Sequence, residues 1–410
     1  MLDTLMDRTE RQKLCIKRWL EAGGTASWLL PTGFGKTRTA LTLSELLIKK
    51  NPNATILIVV PSEIIKNQWI EGLIKHKIFN NCKVQIVNTV VKGPWECDLL
   101  ILDELHVYAS NLFSQVFDVV DYSMILGLTG TIERLDGKEK LLMEKAPICD
   151  KVTVKEAVDN GWLSDFREYV VMLDVDLTEY NKLNQAFIGY FSQMGFDFDV
   201  SMKAATNSVF RNKLAKQLGI KPKDMAGIAY GWMKALKGRK AFVQSHPKKF
   251  EVAKKILNAR QDKKCITFSS TIKDSESFGG KYVLHSKQSK KKNKEILEAF
   301  NKESYGVLHT SRAAETGLDL QGINTEIILY NNSSKIRHQQ VIGRAIRFEP
   351  GKTAEIFTLV IRGTQEWNWF QNSATGAYTV INESQLDEVL AGKTIETRER
   401  ENVEDKKFRF

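Results

Sequence analysis

This sequence predicts an α/β protein: two tandem lobes built on parallel sheets, with a mainly helical basic insertion between them. Three observations lead there. Short apolar runs such as ATILIVVP (54–61), CDLLILD (97–103) and MILGLT (124–129) alternate with helical patterns, as strands buried on both faces do. Another run, Trp28-Leu29-Leu30, feeds a glycine-bracketed loop that opens a helix. The same alternation resumes after residue 262, and the stretch between reads as helices rich in lysine and arginine.

Bulk properties narrow the class. A chain of 410 residues accommodates two or three domains, and 42% apolar with 27% charged residues is an ordinary globular composition. No apolar run approaches the roughly 18 residues of a membrane span, and residues 1–21 are too charged for a secretory leader. Five scattered cysteines, never spaced C-x-x-C, predict reduced thiols of an intracellular protein and no zinc site. The net charge of +11 is uneven. Residues 201–260 carry fifteen Lys and Arg against two Asp and Glu, a footprint for a polyanion such as nucleic acid.

In chain order, residues 8–21 form an amphipathic helix in which Gln12 reads either as a contact to an adenine edge or as an ordinary surface glutamine. The loop LLPTGFGKT (29–37) follows. Gly33 and Gly35 let backbone N–H groups turn toward a polyphosphate, and the helix N-terminus adds positive potential. Thr32 belongs to the same cradle, Lys36 neutralises the β- and γ-phosphates, and the Thr37 hydroxyl ligates Mg²⁺. Leu30 stands where the usual pattern has a small residue.

The strand 54–61 leads to Ser62, which caps a helix carrying Gln68 and Trp69, and a further strand over 83–90 ends in Thr89. The run ending in Asp103-Glu104 delivers two adjacent acids to a strand's carboxyl end, where ligands bind in open α/β sheets. Burying such acids unpaired is costly, and Mg²⁺ on Asp103 with Glu104 polarising a water accounts for them. Thr129 and Thr131 flank Gly130 and read either as sensors of the γ-phosphate or as a hydroxyl-rich turn.

Phosphate loop, VVPSEIIKNQW (59–69), DELH (103–106) and GLTGT (127–131) together resemble the superfamily 2 helicases of the DExH type, in order and spacing. The continuation GLTGTIERLDGKE is similar to the XPB-like and phage recombination-helicase branch, with Ile132 in place of the usual proline. The resemblance implies two RecA-like lobes. For the second it adds GVLHTSRAAETGLDLQGI (306–323), with Gly317 and Asp319 near the nucleotide, and HQQVIGRAIRFEPGK (338–352), with Gln340, Arg344 and Arg347 as catalytic groups. Arg344 and Arg347, three residues apart, are expected on one helical face as arginine fingers. It also carries strand contacts onto Pro61, Ser62, Thr89, Ser269, His285 and Thr310.

The expected organisation is lobe 1 over 1–149, linker and insertion over 150–262, lobe 2 over 263–390, and a charged tail over 391–410, exposed or disordered. Within the insertion, helices are expected over 178–191, 201–218, 223–237 and 247–259, with Lys237, Arg239 and Lys240 on phosphates of a duplex or branch point. The aromatics among them read as core before they read as stacking surfaces. The resulting expectation is an ATP- and Mg²⁺-dependent DNA helicase or translocase that unwinds or branch-migrates forked DNA, encoded by a phage and working in the host cytoplasm. An RNA helicase, the motor subunit of a restriction complex, and an ATP-regulated nucleic-acid-binding scaffold are the alternatives.

Overall fold

The computed structural model describes residues 7–132, 137–311, 320–374 and 376–395. Two sheets, each parallel throughout, organise it. The first has the order β3-β2-β4-β5-β1-β6, built from β1 (Thr25–Leu29), β2 (Ile56–Val60), β3 (Cys82–Ile86), β4 (Trp95–Asp103), β5 (Val120–Thr129) and β6 (Ile148–Lys151). The second has the order β13-β7-β12-β11-β8-β10-β9. Its strands are β7 (Asp165–Leu173), β8 (Lys264–Ser269), β9 (Tyr282–Leu284), β10 (Gly306–Ser311), β11 (Thr325–Ile328), β12 (Thr353–Ile361) and β13 (Thr379–Ile381). Every residue of β2 is buried, as its unbroken apolar run requires.

One core runs through both lobes. Trp28, Leu30 and Ile58 of the first share it with Ile266, Phe268 and Ile342 of the second, bridged by Trp162 and Leu163. Each such side chain contributes about 1.5–3 kcal/mol by leaving water. The first helix, Arg8–Glu21, is pinned to β6 by a buried ion pair. Arg11 donates to both Asp150 oxygens at 2.6 and 2.9 Å, and Arg18 donates to the same carboxylate. Burial alone would raise the Asp150 pKa, but the bonds from Arg11 and its neighbours hold it below the usual carboxylate range.

The middle of the chain is not one unit. β7 pairs with β12 and β13 inside the second sheet, and the helix Pro247–Asn258 buries Val252, Ala253 and Ile256 in that lobe's core. The boundary expected at 263 therefore falls within the lobe, because nine residues of β7 find their backbone partners there. The insertion proper comprises the helices Thr178–Ser192, Phe198–Thr206, Ser208–Gln217 and Pro222–Gln244 around Phe191, Met194 and Trp232. The single helix expected over 201–218 is two. Asn207 leaves helical geometry and its side chain accepts from the Phe210 N–H at 3.0 Å, starting the second helix. Likewise the strand expected over 83–90 stops at Ile86, and Thr89 sits on the one-turn helix Val87–Val90.

Among the described residues no helix is long and apolar enough to cross a membrane. The five cysteines are free thiols, four of them buried. Of the tail, residues 396–410 lie outside the described residues.

Candidate active site

Strand register assembles the site. Leu29 of β1 pairs with Thr129 of β5, and Leu128 of β5 pairs with Asp103 of β4, so three carboxyl ends stand side by side. That edge is where a parallel sheet presents loops to ligand. From β1 the chain enters the phosphate loop. Gly33 and Gly35 both take positive φ (88° and 104°), which an L side chain rarely adopts, and Gly35 caps the helix Lys36–Lys50. Lys36 lies across the loop with Nζ donating to the Leu30 carbonyl at 3.1 Å. The Leu30 side chain itself is fully buried in the core, so its size does not intrude on the cradle.

Two side chains of the first helix hold the loop from outside. Gln12 Nε2 donates to the Phe34 carbonyl at 2.9 Å, and Arg8 donates to the carbonyls of Gly33 (2.6 Å) and Phe34 (3.0 Å). Gln12 is thus buried against the loop, not an ordinary surface residue. Arg8 was invisible to motif reading, since a lone arginine in an amphipathic helix carries no signal.

Asp103 is buried, and burial followed by the Glu104 charge pushes its pKa up to about 6, with the Trp69 hydrogen bond and Lys36 pulling the other way. Trp69 Nε1 donates to Asp103 Oδ2 at 2.7 Å. Glu104 follows in the left-handed region (φ 54°), and its own N–H donates to Asp103 Oδ1. Glu104 and Thr129 are joined through His106, whose Nδ1 stands 3.5 Å from Glu104 Oε2 and 3.3 Å from Thr129 Oγ1. Thr129 Oγ1 in turn donates to the Thr131 carbonyl at 2.5 Å. The Thr129–Thr131 turn is thus in contact with Glu104 through His106. The pairings of Trp69 and His106 with the acidic residues emerge only in the fold.

A buried carboxylate raised toward neutrality, beside a second acid and within reach of the Lys36 charge at the start of the adjoining helix, is a donor set suited to a hard cation. Mg²⁺ takes one or two protein ligands and completes its shell with phosphate and water, so a site of this kind fits it without a dedicated cage of side chains. Among the described residues no group of three or more His, Cys, Asp or Glu could hold a metal by itself.

The second lobe closes on this loop. A Cβ on Gly343 would lie 2.8 Å from Thr32 Cγ2 and 3.1 Å from its Oγ1, so only glycine allows the helix Lys335–Ala345 this approach. A Cβ on Gly33 would lie 3.5 Å from Arg347 Cγ. The two arginines do not share a helical face, contrary to expectation. The helix ends at Ala345, and Arg347 lies beyond it because Ser164 captures the chain, accepting from the Glu349 N–H and donating to the Arg347 carbonyl, both at 2.9 Å. Arg344 is buried in the second lobe, where its charge opposes the burial that drives the Glu326 pKa well above its usual value. Gln340 is half-buried on the same helix, and its neighbour Gln339 lines the narrow cleft with Pro31 and Thr32. Gly317 and Asp319 lie outside the described residues.

The expected strand contacts divide. Pro61 and Ser62 follow β2 half-buried, with Ser62 Oγ accepting from the Ile65 N–H, and Thr89 is exposed. Ser269, Thr310 and His285 are instead buried, the first two with no exposed surface, because they close the tightly packed ends of β8 and β10 and the segment after β9. Arg239 is a second correction. It is buried, with its guanidinium 4.2 Å over the Phe187 ring and a hydrogen bond to Gln365, so it ties the insertion to the second lobe. Lys237 remains exposed and Lys240 half-buried.

Two parallel α/β lobes meeting over a phosphate loop define a motor ATPase of the tandem RecA-like class. Residues 6–95 match the family model described as the type III restriction enzyme res subunit, and residues 248–349 match the helicase conserved C-terminal domain. The DNA 3'-5' translocase XPB2 of Sulfurisphaera tokodaii is 25% identical over 87% of this chain and 82% of its own. The ATP-dependent DNA helicase uvsW of Enterobacteria phage T4 is 22% identical over 81% of this chain, which spans 64% of that protein. In fold, Saccharomyces cerevisiae Dbp5 bound to RNA and ADP BeF3 superposes with a TM-score of 0.59 over 93% of this chain and 91% of its own, at 13% identity. Together these likenesses support a superfamily 2 helicase of the XPB and phage type, an enzyme that hydrolyses ATP.

Proposed function

We propose that this helicase acts on DNA, coupling ATP hydrolysis to movement along it and remodelling forked or branched substrates. The observation that carries the reading is the meeting of both lobes on one loop, Gly343 on Thr32 and Arg347 on Gly33. Nucleotide bound there touches both lobes, so the state of the γ-phosphate sets their separation. In this reading Lys36 neutralises the β- and γ-phosphates, and the carbonyl oxygen of the anchored Gln12 is left to accept from an adenine amine. Thr37 and Asp103 hold Mg²⁺, which when bound neutralises charge on the phosphates. Glu104 polarises the attacking water, and His106 passes its state to Thr129 and Thr131. Arg347, together with Arg344 and Gln340, stabilises charge on the transferred group, a role worth about 10³–10⁵ in rate in related NTPases.

DNA as substrate is supported by the two relatives, each named for work on DNA. The strand contacts we assign are Pro61, Ser62 and Thr89, with Lys237 and Lys240 of the insertion on phosphates. Branched DNA follows from a basic helical module standing beside the motor, and the setting is the inside of a phage-infected cell, where ATP and replicating DNA are at hand. The test is ATP turnover at fixed salt with single-stranded DNA, duplex, a fork, a four-way junction and single-stranded RNA. Stimulation is expected to be largest with forks or junctions. Largest stimulation by RNA would overturn the DNA assignment, and no turnover with any of them would overturn the reading of the site.

A further inference from the structure

The long helix of the insertion, Pro222–Gln244, carries one outward stripe that neither packing nor the ATP site uses. Lys223, Gly227, Tyr230, Lys234, Lys237 and Ala241 recur at three- and four-residue intervals, and all six are exposed. That spacing places them on one face, over about 21 Å from Lys223 to Lys237. Tyr230 is 73% exposed, among the largest exposures of any large side chain here, although its opposite-face neighbours Ala229 and Trp232 are fully buried. The three lysines have no acidic partner among the described residues, and Asp224, in the helix's first turn, is the acid beside them.

The glycines sharpen the point. Glycine weakens a helix interior, so each one calls for a reason. Gly231 and Gly238 have one, since a Cβ there would run into Tyr190 and Leu183 of the partnering helix. Gly227 has none within the fold: a Cβ there would meet nothing within 4 Å. One turn from Tyr230 it leaves a bare shelf beside an exposed ring, with ammonium groups on both sides.

We infer that this stripe is a stacking platform for single-stranded DNA, with an unpaired base on Tyr230 over the Gly227 shelf and the flanking phosphates on Lys223, Lys234 and Lys237. The inference rests on the proposal that the chain binds DNA and specifies where an opened strand is received. A single strand is the occupant because the charge is complementary and because a ring can stack only on a base face that is not already stacked in a duplex.

The test uses the full chain with Tyr230→Ala, Tyr230→Phe, Gly227→Leu and the Lys234→Ala/Lys237→Ala pair. Affinities for an oligo-dT strand and for a blunt duplex are measured across salt, together with the fluorescence of 2-aminopurine placed in the single strand. Tyr230→Ala is expected to weaken single-strand binding about 5- to 150-fold. It should also abolish the 2-aminopurine change and leave duplex affinity and salt slope as they were. Tyr230→Phe should match the wild type. Gly227→Leu should weaken single-strand binding while leaving thermal stability equal or higher. The lysine pair should lower the salt slope by about 0.7 per lysine. Single-strand affinity unchanged in Tyr230→Ala, or lost equally with duplex affinity, would overturn this assignment alone. A wild-type chain that binds no DNA would overturn the underlying proposal as well.

Discussion

Asp103 shows what a single residue carries in this fold. Its strand buries it, its neighbour Glu104 repels it, and its pKa stands near 6 in place of the ordinary 3.8. Between those values the folded state binds more protons than the unfolded one, so this group's contribution to stability falls as pH rises through that window. Asp103→Asn removes the buried charge and keeps an acceptor for Trp69. We predict that it raises the stability of the nucleotide-free protein at pH 7.5 by about 1–3 kcal/mol. The gain should shrink as pH is lowered from about 6 to 4, while ATP turnover is lost. Urea melts at several pH values check the first part, and turnover checks the second. In the wild type, kcat/KM should decline as pH falls through about 6, since that profile reports the free enzyme. Asp103 itself is legible in the sequence, because two acids ending an apolar run demand a reason. Its supports are not: Trp69 lies thirty-four positions away, and only the β2–β4 pairing brings its helix over the strand end.

At the level of elements, the helix Lys335–Ala345 does most to turn two lobes into one site. It can sit on the phosphate loop because position 343 has no side chain. Gly343→Val is predicted to keep DNA affinity within about twofold and to lower DNA-stimulated kcat by at least about 10²-fold, since a displacement near 1 Å is enough for that. Steady-state turnover with binding measured in parallel checks it. The sequence marks this helix by its pattern but misplaces Arg347, because the capture of the chain by Ser164 is a contact across 183 residues with no local trace. The same limit explains the other elements. Strands β2, β4, β5 and β8 are written in their apolar runs, whereas the break at Asn207 and the early end of β3 turn on one side-chain bond or one turn of helix.

Over the whole molecule, charge is where sequence counting and structure part. Fifteen basic residues in 201–260 suggest one continuous anion-binding face. Lys249 is instead buried against Glu366 at 2.5 Å, Arg239 is buried on Phe187, and Lys248, Lys255 and Arg260 are paired with acids of the second lobe. The remaining charge concentrates on the insertion's outer helices, a narrower surface than the tally implies. The insertion is tied to the second lobe through Arg239–Gln365 and the Tyr180 hydroxyl that accepts from the Gln365 N–H at 2.9 Å. The insertion should therefore travel with the second lobe when the lobes separate.

The most direct measurement of this coupling is strand remodelling of a labelled fork by the wild type and by Lys36→Ala, with fork affinity recorded for both. The wild type should remodel the fork only when ATP and Mg²⁺ are present, and Lys36→Ala should bind it with similar affinity and leave it intact. Equal remodelling by Lys36→Ala, or a wild type that binds the fork and turns over ATP without altering it, would contradict the account.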